Sequence, residues 1–136
     1  MRLAKPIEFA GLYADVVLRH ALFAGLDFTV YFRMSDRTHR LTQVLLERQR
    51  QMATAQAWHV TVGALTDAFG APTARCHQQG QPLEGEPLLV ERIWVLPTTT
   101  VRATFLDFDP YVPTAVWRRL LVRYAPTRAG QAGCRR

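Results

Sequence analysis

The sequence predicts an α+β domain, an antiparallel sheet of about three to five strands with helices packed mainly on one face. Three observations carry that expectation. In residues 26–33, Phe28, Val30 and Phe32 alternate with Asp27, Thr29, Tyr31 and Arg33, the period of two of a half-buried strand. Residues 88–96 are apolar on both faces apart from Glu91 and Arg92, and Pro97-Thr98-Thr99-Thr100 turns them back into a hairpin partner at 101–108. Around these strands run apolar series at helical spacing.

Pro6 suits the first position of a helix and Gly25 its stop, with Phe9, Leu12, Tyr13, Val16, Val17, Phe23 and Ala24 leaving little polar surface between them. After the strand, Ser35-Asp36 offers a cap for a second helix. Its apolar series is Leu41, Leu45, Met52, Ala55, Trp58, Val62, Leu65 and Phe69, closed by Gly70-Ala71-Pro72. One straight helix over 37–69 would be about 50 Å long. A domain of this size is roughly 37 Å across. The helix therefore needs a break, placed between His59 and Gly63 where Val60, Thr61 and Val62 are β-branched. Residues 73–86 read as a loop with a short edge strand. Pro113 opens a last helix with Val116, Trp117, Leu120, Leu121 and Tyr124 on its apolar face. At 136 residues, 49% of them apolar, the chain fits one globular domain over 1–125 and a basic, flexible tail over 126–136.

Charge is the most informative feature for function. Residues 1–109 hold ten arginines, one lysine and eleven acids, whereas 110–136 hold six arginines and no acid. A neutral body with a cationic end points to an anionic partner, nucleic acid, an acidic protein surface or a lipid headgroup. Arg118, Arg119, Arg123 and Arg128 at that end, with Arg37 and Arg40 on the second helix, are the candidate anion-binding residues. Tyr31, beside Arg33, is the best placed aromatic for stacking on bases. Sixteen arginines against one lysine also fit a GC-rich bacterial or phage genome, in which part of the arginine excess is solvated surface.

Catalytic signals are weaker. Glu91 shares a strand face with Leu89, Ile93 and Val95, where a buried carboxylate needs an arginine partner or lines a pocket as an acid or base. His59 beside Trp58 sits at the expected helix break and completes the enzyme or small-ligand alternative, a pocket near Glu91, His59 and Trp58. Asp107 and Asp109, two apart at a strand end, are the only metal candidates, against a structural role in which Asp107 lies diagonal to Arg92. Cys76-His77 are adjacent and point apart on an extended chain. No phosphate-binding glycine loop is present, and no cofactor is implied.

Cys76 and Cys134 form no C-x-x-C pair and no disulfide framework, which predicts a reducing compartment. Glu8 and Asp15 interrupt the apolar stretch after Arg2 and Lys5, so no signal peptide is expected, and no apolar run is long enough for a membrane span. The expectation is a soluble, cytoplasmic protein. A homo-oligomer that buries its apolar surplus between subunits is a further reading.

Two fragments resemble a known family. Trp58 followed by Gly63-Ala64-Leu65-Thr66 is similar to the W…GSLT segment of chorismate lyases. Gly85-Glu86-Pro87-Leu88-Leu89-Val90-Glu91-Arg92 is similar to a strand shared by those lyases and the effector-binding domains of some transcription regulators. The resemblance covers these short stretches alone. It implies an active-site role for Glu91 and so sharpens the enzyme alternative, while the binding-protein reading leads.

Overall fold

The computed structural model describes residues 2–9, 11–78, 88–107, 118–128 and 133–134. Eight strands form one antiparallel sheet: β1 (Arg2–Phe9), β2 (Leu12–Phe23), β3 (Leu26–Ser35), β4 (Leu41–Glu47), β5 (Ala74–Gln78), β6 (Leu88–Val95), β7 (Thr99–Asp107) and β8 (Arg118–Pro126). Their order is β1-β2-β3-β4-β8-β7-β6-β5. A 3₁₀ turn at Arg50–Met52 and one helix, α1 (Ala55–Phe69), connect β4 to β5. Strands take up 62% and helices 16% of the described residues, so the fold is mostly β and the α+β expectation is corrected.

The predicted first helix is the β1–β2 hairpin. Gly11, at φ +87°, turns the chain into β2. Gly25 does not stop a helix. Ala24 and Gly25 both have positive φ, the backbone that a two-residue turn between right-twisted strands requires. Pro6 lies on β1 at the sheet edge, where a missing ladder donor is tolerated. The Ser35-Asp36 cap signal is real but caps no helix: Ser35 Oγ accepts hydrogen bonds from the amides of Arg37 and Thr38 and closes the β3–β4 turn.

The long second helix divides into β4 and α1, with the interruption at residues 48–54. No break falls between His59 and Gly63. Arg48 holds the connection, its buried guanidinium donating to the carbonyls of Met52 and Asp27. Thr54 caps α1 by accepting the Ala57 amide, and Gly70 ends it with a bond to the Thr66 carbonyl. Ala57, Trp58, Thr61 and Leu65 recur at helical spacing and form the buried face. They pack on Phe28, Val30, Leu46, Trp94, Val101, Ala103, Phe105, Leu120 and Val122. Trp58 stacks on Phe105 at 6.1 Å between ring centres, and Trp94 Nε1 donates to the Gly70 carbonyl.

The predicted last helix is β8 over its described part; Pro113, Val116 and Trp117 lie outside the described residues. β8 enters between β4 and β7, joining the two halves of the chain in one sheet. The strands 26–33 and 88–96 and the 101–108 hairpin partner appear as expected. The hairpin register differs by two, with Arg92 opposite Ala103 rather than Phe105. A shift of two keeps every side chain on its predicted face.

Cys76 and Cys134 are bonded, with Cα atoms 5.5 Å apart, so the expectation of unlinked cysteines is corrected. Thr127 also binds the body, through its amide to the Thr98 carbonyl and its hydroxyl to the Leu96 carbonyl. The disulfide closes a loop of 58 residues. Its reduction, or Cys134→Ser, is expected to lower stability by about 2–4 kcal/mol in urea unfolding; an unchanged midpoint would show that the bond contributes nothing to the fold.

Burial holds the Tyr124 hydroxyl above its ordinary pKa of 10.0. The folded state therefore keeps that proton more tightly than the unfolded chain does. Its contribution is complete below pH 10.0 and is lost as pH rises through the higher folded value. Thermal melts at pH 9 to 11 check this: Tyr124→Phe should flatten the alkaline decline, and an equal decline in both proteins counts against it.

Candidate functional site

Because side chains alternate across a strand, each residue of β6 belongs to one of two faces. Val90, Arg92 and Trp94 face α1. Glu91 and Ile93 face the other way, both at 0% exposure. In register Glu91 lies opposite Thr104, with Arg102 diagonal to it. Glu91 Oε1 accepts from Arg102 Nη1 at 3.0 Å, and Oε2 accepts from the Thr104 hydroxyl at 2.8 Å. Both carboxylate oxygens are thus occupied by neighbours in the sheet, the structural alternative foreseen for this residue.

Trp58 and the exposed His59 belong to α1, on the opposite side of the sheet from the Glu91 carboxylate. The strand layer separates them, so the pocket near Glu91, His59 and Trp58 is not assembled. A cleft of about 510 Å³ lies at the β1–β2 turn, lined by Pro6, Glu8, Gly11, Leu12, Tyr13 and Asp36. A groove of about 210 Å³ runs along the ends of β4 and β8. Neither includes Glu91, His59 or Trp58. Cys76 is in the disulfide and offers no thiolate beside His77.

Asp107 pairs with Arg118, its direct cross-strand partner, at 3.2 Å rather than with Arg92. Asp109 lies outside the described residues. Among the described residues no three His, Cys, Asp or Glu side chains converge as a metal site.

The arginines sort into two groups. Arg118 pairs with Asp107, and Arg119 donates through Nε and Nη2 to Glu47 Oε1 at 3.2 and 2.9 Å. These two were expected to project from a helix; on β8 they point to opposite faces of the sheet and meet body carboxylates. Arg123 stands in register with Arg102, and Arg33 donates to Gln43 on the neighbouring strand. Burial holds the Arg33 pKa below its ordinary value, while Glu47 raises it and Arg119 lowers it. Tyr31 is half-buried on the same face, between Val17 and Leu45 in register.

The second group is exposed. Arg37 and Arg40 occupy the β3–β4 turn instead of a helix, and Arg128 follows β8. Sequence reasoning missed a further pair. Arg75 on β5 stands directly opposite Arg92 on β6, both on the α1 face. Burial first, and then Arg75, hold the Arg92 pKa below its ordinary value. Among the described residues no carboxylate lies within ion-pair distance of Arg37, Arg40, Arg75 or Arg92. The signal was present in the sequence: reading 73–86 as an edge strand paired to 88–96 brings the two arginines together.

No protein-family model matches the chain, and comparison with curated proteins and with solved structures finds no significant similarity.

Removing the Glu91 charge takes an ion-pair partner from the largely buried Arg102 guanidinium. Glu91→Gln should cost about 2–4 kcal/mol in chemical denaturation, and Glu91→Leu with Arg102→Leu should recover much of that loss. Wild-type stability for the single variant would refute the structural assignment.

Proposed function

We propose that the protein is a non-enzymatic binding module for an extended phosphate-bearing polyanion, with nucleic acid as the leading partner. The observation that supports this reading is the sorting of its arginines. The sheet neutralises Arg102, Arg118 and Arg119 with Glu91, Asp107 and Glu47. Part of the positive charge is then presented by Arg37 and Arg40 at the β3–β4 turn and by Arg75 and Arg92 on β5 and β6. Four strand spacings of roughly 4.8 Å separate β4 from β5 across the sheet. Two cationic patches on different parts of the sheet suit a polymer of phosphates better than one small anion. The grip is by a hairpin turn and a sheet face, not by arginine-rich helices.

No helix among the described residues is long and apolar enough to cross a membrane. The argument for a cytoplasmic location rested on unpaired cysteines, and the Cys76–Cys134 bond removes it. We place the protein in a compartment that tolerates disulfides. Two free thiols in protein isolated under non-reducing conditions would overturn that placement.

Binding is tested by titrating single-stranded DNA, duplex DNA, RNA and an acidic protein at two salt concentrations. Wild-type affinity for a nucleic acid should fall steeply with salt. Arg37→Gln with Arg40→Gln should weaken binding and reduce the salt slope by about two, with folding unchanged. Arg118→Gln with Arg119→Gln should instead lower stability. No binding of nucleic acid by the wild type at low salt would sink the reading, and preference for the acidic protein would replace its partner.

A further inference from the structure

Arg75 and Arg92 are cross-strand neighbours in an antiparallel pair, the position at which like charges oppose strand pairing. The arrangement is also built rather than loose. Arg92 is half-buried, its Nη1 donates to the Glu91 carbonyl at 2.9 Å, and its guanidinium lies 5.9 Å from the centre of the Trp58 ring. Trp58 in turn stacks on Phe105 in the core. One guanidinium is therefore anchored from below by an aromatic face, which favours a cation there. The other, Arg75, is exposed on the edge strand, and the exposed His77 lies two residues along the same strand face. Adjacent Cys76 is tied to Cys134, which fixes this edge strand to the end of the chain.

Arg75 and Arg92 are opposed in register, and among the described residues no carboxylate lies within ion-pair distance of either guanidinium. A tetrahedral oxyanion supplies the missing counter-charge and accepts from both forks. We propose that Arg75 and Arg92 form the seat for one phosphate group, bridged between β5 and β6 on the α1 face. The assignment of that phosphate to a phosphodiester of a bound polymer rests on the polyanion reading; the seat itself does not.

The test follows the arginine Nε–Hε signals by NMR while pyrophosphate is added to the full-length protein. Arg75 and Arg92 should shift together and saturate, and Arg75→Gln should abolish the shift at Arg92. In parallel, Arg75→Gln should weaken binding of a single-stranded oligonucleotide about tenfold and reduce the salt slope by about one. Arg75→Glu should raise the melting temperature, since an opposite charge then faces Arg92, and should abolish the pyrophosphate response.

If pyrophosphate leaves Arg75 and Arg92 unmoved, or Arg75→Glu lowers the melting temperature, the seat is overturned. Oligonucleotide binding that persists in that case keeps the polyanion reading, with Arg37 and Arg40 as its basis. A saturable pyrophosphate response without oligonucleotide binding supports the seat as a site for free phosphate and overturns the polymer as its source.

Discussion

The insertion of β8 between β4 and β7 is the constraint on which the rest of the molecule depends. Without it, β1–β4 and β5–β7 would be two smaller sheets, each with a long unpaired edge open to aggregation. With it, the ladder runs through eight strands. Leu120 and Val122 enter the core beneath α1, and Leu121 is buried on the opposite face. β8 comes late in the chain, so its pairing with β4 spans more than 70 residues. Contacts at such separation cost loop-closure entropy before they return anything. Two ion pairs mark its register: Arg118 with Asp107 on β7, and Arg119 with Glu47 on β4. Half-buried pairs of this kind discriminate against misaligned pairings, because a shifted strand would leave charges buried without partners.

That insertion also overturns the distribution of charge along the chain. By position, the cations of residues 110–136 form a block with no acid in it. In space, β8 carries two of those cations to carboxylates supplied by the body. The excess then surfaces where the linear sequence looked balanced, at the β3–β4 turn and on the β5–β6 hairpin. Linear charge segregation is evidence about a partner only for segments that stay out of the sheet. A strand buried on both sides sets its charged residues among cross-strand neighbours, and those neighbours determine whether a guanidinium is available.

What was legible in the sequence follows from strand exposure. β3 alternates cleanly because its two faces differ in polarity. The β6–β7 hairpin shows because a proline-containing turn separates two apolar runs. The end of α1 shows because Gly70 adopts positive φ to close it. β2, β4 and β8 were read as helices for a common reason. Each carries apolar residues on both faces, so Leu41 and Leu45, or Leu120, Leu121 and Tyr124, satisfy a helical stripe and a buried strand equally well. The length argument against a 33-residue helix was sound. It set the break at β-branched residues 60–62, whereas Arg48 and Thr54 define the actual boundary through their hydrogen bonds to backbone groups. For the site, strand parity made legible that Glu91 would need a partner or line a pocket, and the register supplies Arg102 as that partner. Which arginine, and the opposition of Arg75 to Arg92, required the registers of two hairpins.

The same parity argument separates the two functional readings. A catalytic group must be within hydrogen-bond reach of its partners in some accessible pose. Glu91 and His59 belong to opposite sides of one hydrogen-bonded layer, and no side-chain rotation carries either across it. The Glu91 carboxylate is held by Arg102 and Thr104 as part of the sheet, one bond on each oxygen. Arg92, its immediate neighbour, points the other way and presents a cation backed by Trp58 and opposed by Arg75. Two consecutive residues of β6 therefore do different work. One neutralises a charge within the fold, and the next faces a like charge with no carboxylate within ion-pair distance among the described residues.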